Sequence, residues 1–278
     1  MRQPIGRGRL ALGLGATVLM ASLPLGNAMA DSDEVKKGID KYREMLQDGN
    51  PAELTVWRGE ELWAEKRGPK NASLEQCDLG KGPGVVEGAA AEMPRYFADT
   101  DQVMDVESRI VHCMVTLQGF DRAEVIKKPF SGGGQKQTDL EALSGYVSEA
   151  SRGYAVNLPQ SHPKEVAAYK RGEQSFFYVG GPYDFSCATC HSNEGLRIRL
   201  QELPNLTEAG PAGAAFTSWP AYRVSQGALR SMQWRMFDCF RQQRFPALEY
   251  GSQTSIDLIT FLGVKAKGAK MATPAIKR

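Results

Sequence analysis

Ser186-Cys187-Ala188-Thr189-Cys190-His191 is the stretch on which the reading of this 278-residue chain turns. Two thiols one helical turn apart can add to the two vinyl groups of a haem, and the imidazole of the next residue then lies under the iron as proximal ligand. A thioredoxin-like redox pair shares the two cysteines. It lacks the trailing histidine, and it belongs in a β-α-β setting that the flanking sequence does not offer. A zinc site needs a second close pair of ligands, and the chain has only three histidines. The run predicts one covalent haem c, held by Cys187 and Cys190, with His191 on the iron. His112 and His162 are expected to be ordinary core or surface histidines.

Working outward from the motif, an internal repeat emerges. Arg171-Gly172-Glu173 echoes Arg58-Gly59-Glu60 at an offset of 113. The same offset lays Ser73-Leu74-Glu75-Gln76-Cys77-Asp78 on the haem run, so the first haem cysteine has become Leu74 and the histidine Asp78. Further on, Arg109-x-x-x-Cys113 answers Arg235-x-x-x-Cys239. Gln137-Thr138 before Leu140, Leu143 and Tyr146 answers Gln253-Thr254 before Ile256, Ile259 and Leu262. Four blocks in one order point to two copies of one domain. Each copy has an opening helix, the turn, a long loop region and a closing helix with apolar residues about one turn apart.

The expected fold is mostly α: two cytochrome c-like domains, the first having lost its haem. The boundaries read as a signal peptide over residues 1–30, an N-terminal helical segment over 31–50, the haem-less domain over 51–156, the haem-binding domain over 157–264 and a basic tail over 265–278. Asn157 to Pro163 reads as a linker whose prolines stop helices. Lys265, Lys267, Lys270, Lys277 and Arg278 suggest a solvated end.

The start of the chain points to export. Arg2, Arg7 and Arg9 precede an apolar, uncharged run from Leu10 to Gly26, and Ala28-Met29-Ala30 supplies a small-x-small cleavage pattern. The run is shorter than the roughly 20 residues of a membrane span, so no stable insertion is expected after cleavage, and the expected location is the periplasm. The leader carries three arginines and no acid, leaving 31 basic against 32 acidic groups, a balance that argues against nucleic acid as partner.

Cysteine usage sharpens the reading. Beyond the haem pair stand Cys77, Cys113 and Cys239. If Cys239 faces the iron of the second copy, Cys113 of the first copy lies opposite the vanished haem and near Cys77, and the two can form a disulfide. One thiol, Cys239, is then left over. As a thiolate it can ligate iron, and Arg235, one helical turn away, can lower its pKa or hold an oxyanion. A buried free cysteine, with Met232 or Met236 as the axial ligand of a plain electron carrier, is the alternative.

This combination resembles the SoxA family, the larger subunits of the SoxAX sulfur-oxidation cytochromes, over essentially the whole chain after the leader. The departures at Leu74 and Asp78 make it similar to the single-haem branch, whose first domain holds a disulfide. The resemblance implies that Cys239 is iron ligand and active-site sulfur, found as a persulfide in that family, with Arg235 beside it and His191 as proximal ligand. It implies L-cysteine S-thiosulfotransferase activity, in which thiosulfate is joined oxidatively to a cysteine of the carrier SoxYZ while electrons leave through the small cytochrome partner SoxX. An electron-transfer cytochrome c, or a thiosulfate dehydrogenase forming tetrathionate, is the rival expectation.

Overall fold

The computed structural model describes residues 32–198 and 201–277. The leader read from residues 1–30, and Arg278, lie outside them. The first element is α1 (Ser32–Gln47), which ends before Gly49, whose φ of 83° suits a residue without Cβ. Residues 43–278 form one compact unit.

In that unit the chain runs through α2 (Ala52–Ala64), the hairpin β1 (Arg95–Phe97) and β2 (Gln102–Met104), α3 (Val106–Thr116), α4 (Arg122–Ile126) and α5 (Asp139–Glu149). It continues with α6 (Pro163–Phe177), the single turn α7 (Cys187–His191), the hairpin β3 (Arg197–Ile198) and β4 (Gln201–Glu202), and α8 (Ala209–Phe216). Last come β5 (Ala221–Arg223), β6 (Ala228–Arg230), α9 (Met232–Gln242), α10 (Gln253–Lys265) and β7 (Ala275–Lys277). The strands form two small hairpins and one three-stranded sheet in the order β6-β5-β7. The fold is mostly helical.

Two helix pairs organise the core, α2 on α5 and α6 on α10. The recurring Arg-Gly-Glu triplet sits at both contacts. A Cβ on Gly59 would run into the carbonyl of Ala142 and the side chain of Tyr146; one on Gly172 would meet the carbonyl of Asp257 and the side chain of Phe261. Only glycine lets the backbones approach this closely. The preceding arginine clamps each pair: Arg58 bonds Asp139, and Arg171 holds Asp257 through two bonds of 2.7 and 2.9 Å. These contacts set Ala142 against Asp257 and Tyr146 against Phe261, an offset of 115. The block match of Gln137-Thr138 with Gln253-Thr254, at an offset of 116, is therefore displaced by one residue, and the caps, Thr138 of α5 and Ser252 of α10, stand 114 apart.

In the first half, Cys77 and Cys113 are joined as a disulfide with Cα atoms 5.7 Å apart. Leu74 is fully buried beside them. The Asp78 carboxylate turns back to accept from the N–H groups of Gly80 and Gly82, at 2.7 and 3.0 Å. Arg109 points inward: Nε donates to the Asp78 carbonyl at 2.7 Å, Nη1 to both oxygens of Asp99, and the guanidinium lies 4.1 Å from the Phe97 ring centroid.

Polar contacts cross between the halves. Arg230 and Glu141 form a buried ion pair at 2.6 Å, and Gln233 donates to Asp105 at 2.7 Å. Two expectations are corrected. Pro163 does not stop a helix; it opens α6 at the first helical position, where the missing N–H is harmless, behind the cap His162. The tail is not solvated: β7 runs parallel to β5, and Met271, Thr273 and Ile276 are buried. Counting lysines hid the apolar residues between them. Among the described residues no helix is long and apolar enough to cross a membrane.

Candidate active site

The haem-type run forms one helical turn because Ser186 and Thr189 cap it reciprocally. Ser186 Oγ accepts from Thr189 N–H at 3.0 Å, and Thr189 Oγ1 accepts from Ser186 N–H at 2.9 Å. A turn of this kind presents Cys187 and Cys190, three residues apart, on one side. His191 follows, and its Nδ1 lies 3.0 Å from the carbonyl of Pro204. A carbonyl can only accept, so Nδ1 carries the proton and the Nε2 lone pair is left for a metal. Burial, and then the charge of Arg235, hold the imidazole below its usual pKa, opposed by the Pro204 bond. A neutral imidazole with Nε2 unprotonated is the form that a metal requires.

The third thiol comes from α9, which Ser231 starts by accepting from Trp234 N–H at 3.2 Å. One turn along this helix separates Arg235 from Cys239, as the sequence spacing implied. The Cys239 thiol is pushed up by burial, pulled down by Arg235 and pushed up again by Asp238 and by Cys190. Cys187 is pushed up to about 12 by burial and by the nearby sulfurs of Cys239 and Cys190. The sulfurs of Cys187, Cys190 and Cys239 are near enough to act on one another electrostatically, and His191 follows directly on the first two.

Cys187 and Cys239, both pushed up by burial, stay neutral unless covalently bound or deprotonated by a metal. The donor set fits haem c: Cys187 and Cys190 would take the vinyl groups, and His191 Nε2 and Cys239 would be available as iron ligands. The remaining sequence-predicted residues lie elsewhere. Cys77 and Cys113 form the disulfide. His112 sits 3.4 Å from Asp99, and His162 stacks on Tyr96 with centroids 3.6 Å apart. Met236 is buried in the core, while Met232 lines a small cavity with Met93, Trp219 and Met271.

Arg235 is lightly held. Its closest carboxylate, Asp238, is 3.6 Å away, and both oxygens of that group are already taken, Oδ1 by Arg241 at 2.8 Å and Oδ2 by Gln242 at 2.6 Å. A guanidinium so placed can accept an anion. Pro204 and Arg223 also belong to this region. Neither has a sequence signal, since each reaches the site from a loop or strand distant from both motifs.

Comparison with known proteins agrees with the geometry. The family model for the SoxA/TsdA cytochrome c domain matches residues 58–156. The L-cysteine S-thiosulfotransferase subunit SoxA of Hydrogenophilus thermoluteolus is 51% identical over 251 residues, covering 90% of this chain and 91% of its own length. The chain belongs to the SoxA family. A SoxA of Hydrogenobacter thermophilus is 30% identical and covers 90% of this SoxA chain and 92% of its own length. The crystal structure of SoxXA from P. pantotrophus superposes with a TM-score of 0.70 at 23% identity, covering 86% of this chain and 84% of that one, which establishes a shared fold. The family model falls on the half that lacks a haem-attachment run, and a cytochrome c domain of this family implies covalent haem c.

Proposed function

We propose that this SoxA chain is the haem-bearing subunit of an L-cysteine S-thiosulfotransferase, which joins thiosulfate oxidatively to a cysteine of the carrier SoxYZ. The observation that carries the reading is the third thiol, Cys239, set beside the haem-attachment turn on the helix that also carries the lightly held Arg235.

Cys187 and Cys190 would hold one haem c, and His191 and Cys239 would serve as the ligands of its iron. When bound, the haem supplies a one-electron acceptor and an iron that keeps a thiolate ionised at neutral pH. Arg235 binds the sulfonate end of thiosulfate. Cys239 sulfur bonds the outer, sulfane sulfur, and the two electrons released leave one at a time through the small cytochrome SoxX to an oxidised cytochrome acceptor beyond it. The carrier thiol then attacks the sulfane sulfur. Its S–H bond breaks, the new S–S bond carries the sulfonate away as a cysteine S-thiosulfonate, and the proton returns to Cys239 or solvent.

The fold belongs to the same proposal. Residues 51–156 and 157–264 are two cytochrome c-like copies, of which the first has lost its haem. Supporting this are the repeated glycine contacts, the paired α3 and α9 bearing Arg-x-x-x-Cys, and the disulfide with Leu74 at the position of the haem turn. Partner binding to SoxX and a periplasmic location after removal of residues 1–30 complete the reading.

Arg235→Lys tests the anion site. Lysine keeps the charge but loses the planar fork that can grip a sulfonate with two donors. Conjugation should fall by roughly tenfold or more, about 1.4 kcal/mol of transition-state stabilisation, with the haem spectrum unchanged. Wild-type conjugation rates in this variant would remove Arg235 from substrate binding.

A further inference from the structure

Three arginines of the second half are held to carboxylates: Arg171 to Asp257, Arg230 to Glu141, Arg241 to Asp238. Arg223 differs. It is half-buried, it enters no ion pair among the described residues, and its Nε–H is buried without a hydrogen-bond partner there. Buried donors are satisfied in the great majority of cases, so an orphan of this kind calls for an explanation.

The fold fixes where this donor lies. Arg223 ends the central strand β5, paired with Ala228 of β6 on one edge and with Lys277 of β7 on the other. With both edges occupied, the backbone at Arg223 is fixed in place. The charges that act on it, after its own burial, are those of Arg235, Asp238 and Cys239. The pull is unfavourable: burial and Arg235 both hold the guanidinium below its usual pKa. Three arginines, 223, 235 and 241, therefore share one carboxylate, and its two oxygens are occupied by Arg241 and Gln242. The excess is positive, and the orphan donor belongs to an arginine on which the charges of this cluster act. Thiosulfate matches this arrangement: a dianion with three sulfonate oxygens at one end and a nucleophilic sulfur at the other.

Resting on the reaction proposed above, we propose that Arg223 is a second substrate-binding arginine. Its buried Nε–H takes one sulfonate oxygen of thiosulfate while Arg235 takes another, and the sulfane sulfur is thereby directed at Cys239. The site then selects for a doubly charged oxosulfur head group, and sulfite and sulfate compete with thiosulfate for it.

Arg223→Met removes the donors and keeps an unbranched, buriable side chain. In the haem-loaded complex with the small cytochrome, the KM for thiosulfate rises about tenfold or more, while the KM for the carrier and the haem absorption spectrum stay as in the wild type. Arg223→Lys recovers part of the loss. An unchanged thiosulfate KM in a well-folded Arg223→Met overturns the proposal. A crystal structure of the wild-type complex soaked in thiosulfate decides the matter without any variant. A sulfonate oxygen within hydrogen-bond distance of Arg223 Nε supports it, and an anion held by Arg235 alone refutes it. If thiosulfate bridges the two arginines but the wild type makes no carrier conjugate, the reaction fails and the binding role of Arg223 stands.

Discussion

A Cys239→Met variant is expected to retain a low-spin haem spectrum and to lose all detectable transfer of thiosulfate to the carrier cysteine. A thioether offers a lone pair to iron, so coordination survives, whereas it has no S–H or S⁻ with which to form and release a bond to the sulfane sulfur. Methionine is flexible enough to be accommodated at this half-buried position of α9. Absorption spectroscopy reads the ligand, and mass spectrometry of the carrier peptide reads the transfer. Near-normal conjugation would make Cys239 a ligand only and favour an electron-transfer role for the chain.

The second large effect falls on stability. Cys77 and Cys113 are 36 residues apart in sequence, and cross-linking a loop of that length removes unfolded-state entropy worth about 3–4 kcal/mol in the chain-entropy model. Cys113→Ser should therefore lower Tm by something on the order of 10 °C for a chain of this size. It also leaves a fully buried Cys77 thiol and a hydroxyl in an apolar setting. The haem band should not change, because the disulfide lies in the other half. Thermal melts followed in the far ultraviolet, alongside the haem spectrum, check both statements. Two thiols free to alkylate in the folded, unreduced protein would contradict the pairing.

What the sequence exposed, and what it hid, follows from the range of the interactions. The helical turn at Cys187 to His191 was legible because its pattern is local: two cysteines, one histidine and a capping serine within six residues. Arg235 and Cys239 were legible for the same reason, being one turn apart on α9. The Arg-Gly-Glu repeat was visible without its cause. Its glycines are there for a backbone contact with a helix more than 80 residues later in the chain, and its arginines for an aspartate on that helix. The closing helices were misaligned by one residue because the two Gln-Thr pairs look alike in sequence, while the glycine contacts that set the register leave no mark beside them. The tail was misread because its lysines are conspicuous and its partner, β5, lies some 50 residues earlier. Pro204 and Arg223 left no trace in any motif. Each acts through a single atom, a carbonyl on His191 in one case and an unmatched N–H in the other.

Whether thiosulfate ends on a carrier cysteine or on a second thiosulfate separates the proposed activity from a dehydrogenase that forms tetrathionate. The direct measurement incubates the haem-loaded complex with thiosulfate and an oxidised cytochrome acceptor, with and without SoxYZ, and follows both products by mass spectrometry. The expected result is a carrier peptide bearing a cysteine S-thiosulfonate, with electrons released only when the carrier is present. Tetrathionate produced at the same rate without the carrier, and an unmodified carrier peptide when it is added, would contradict it.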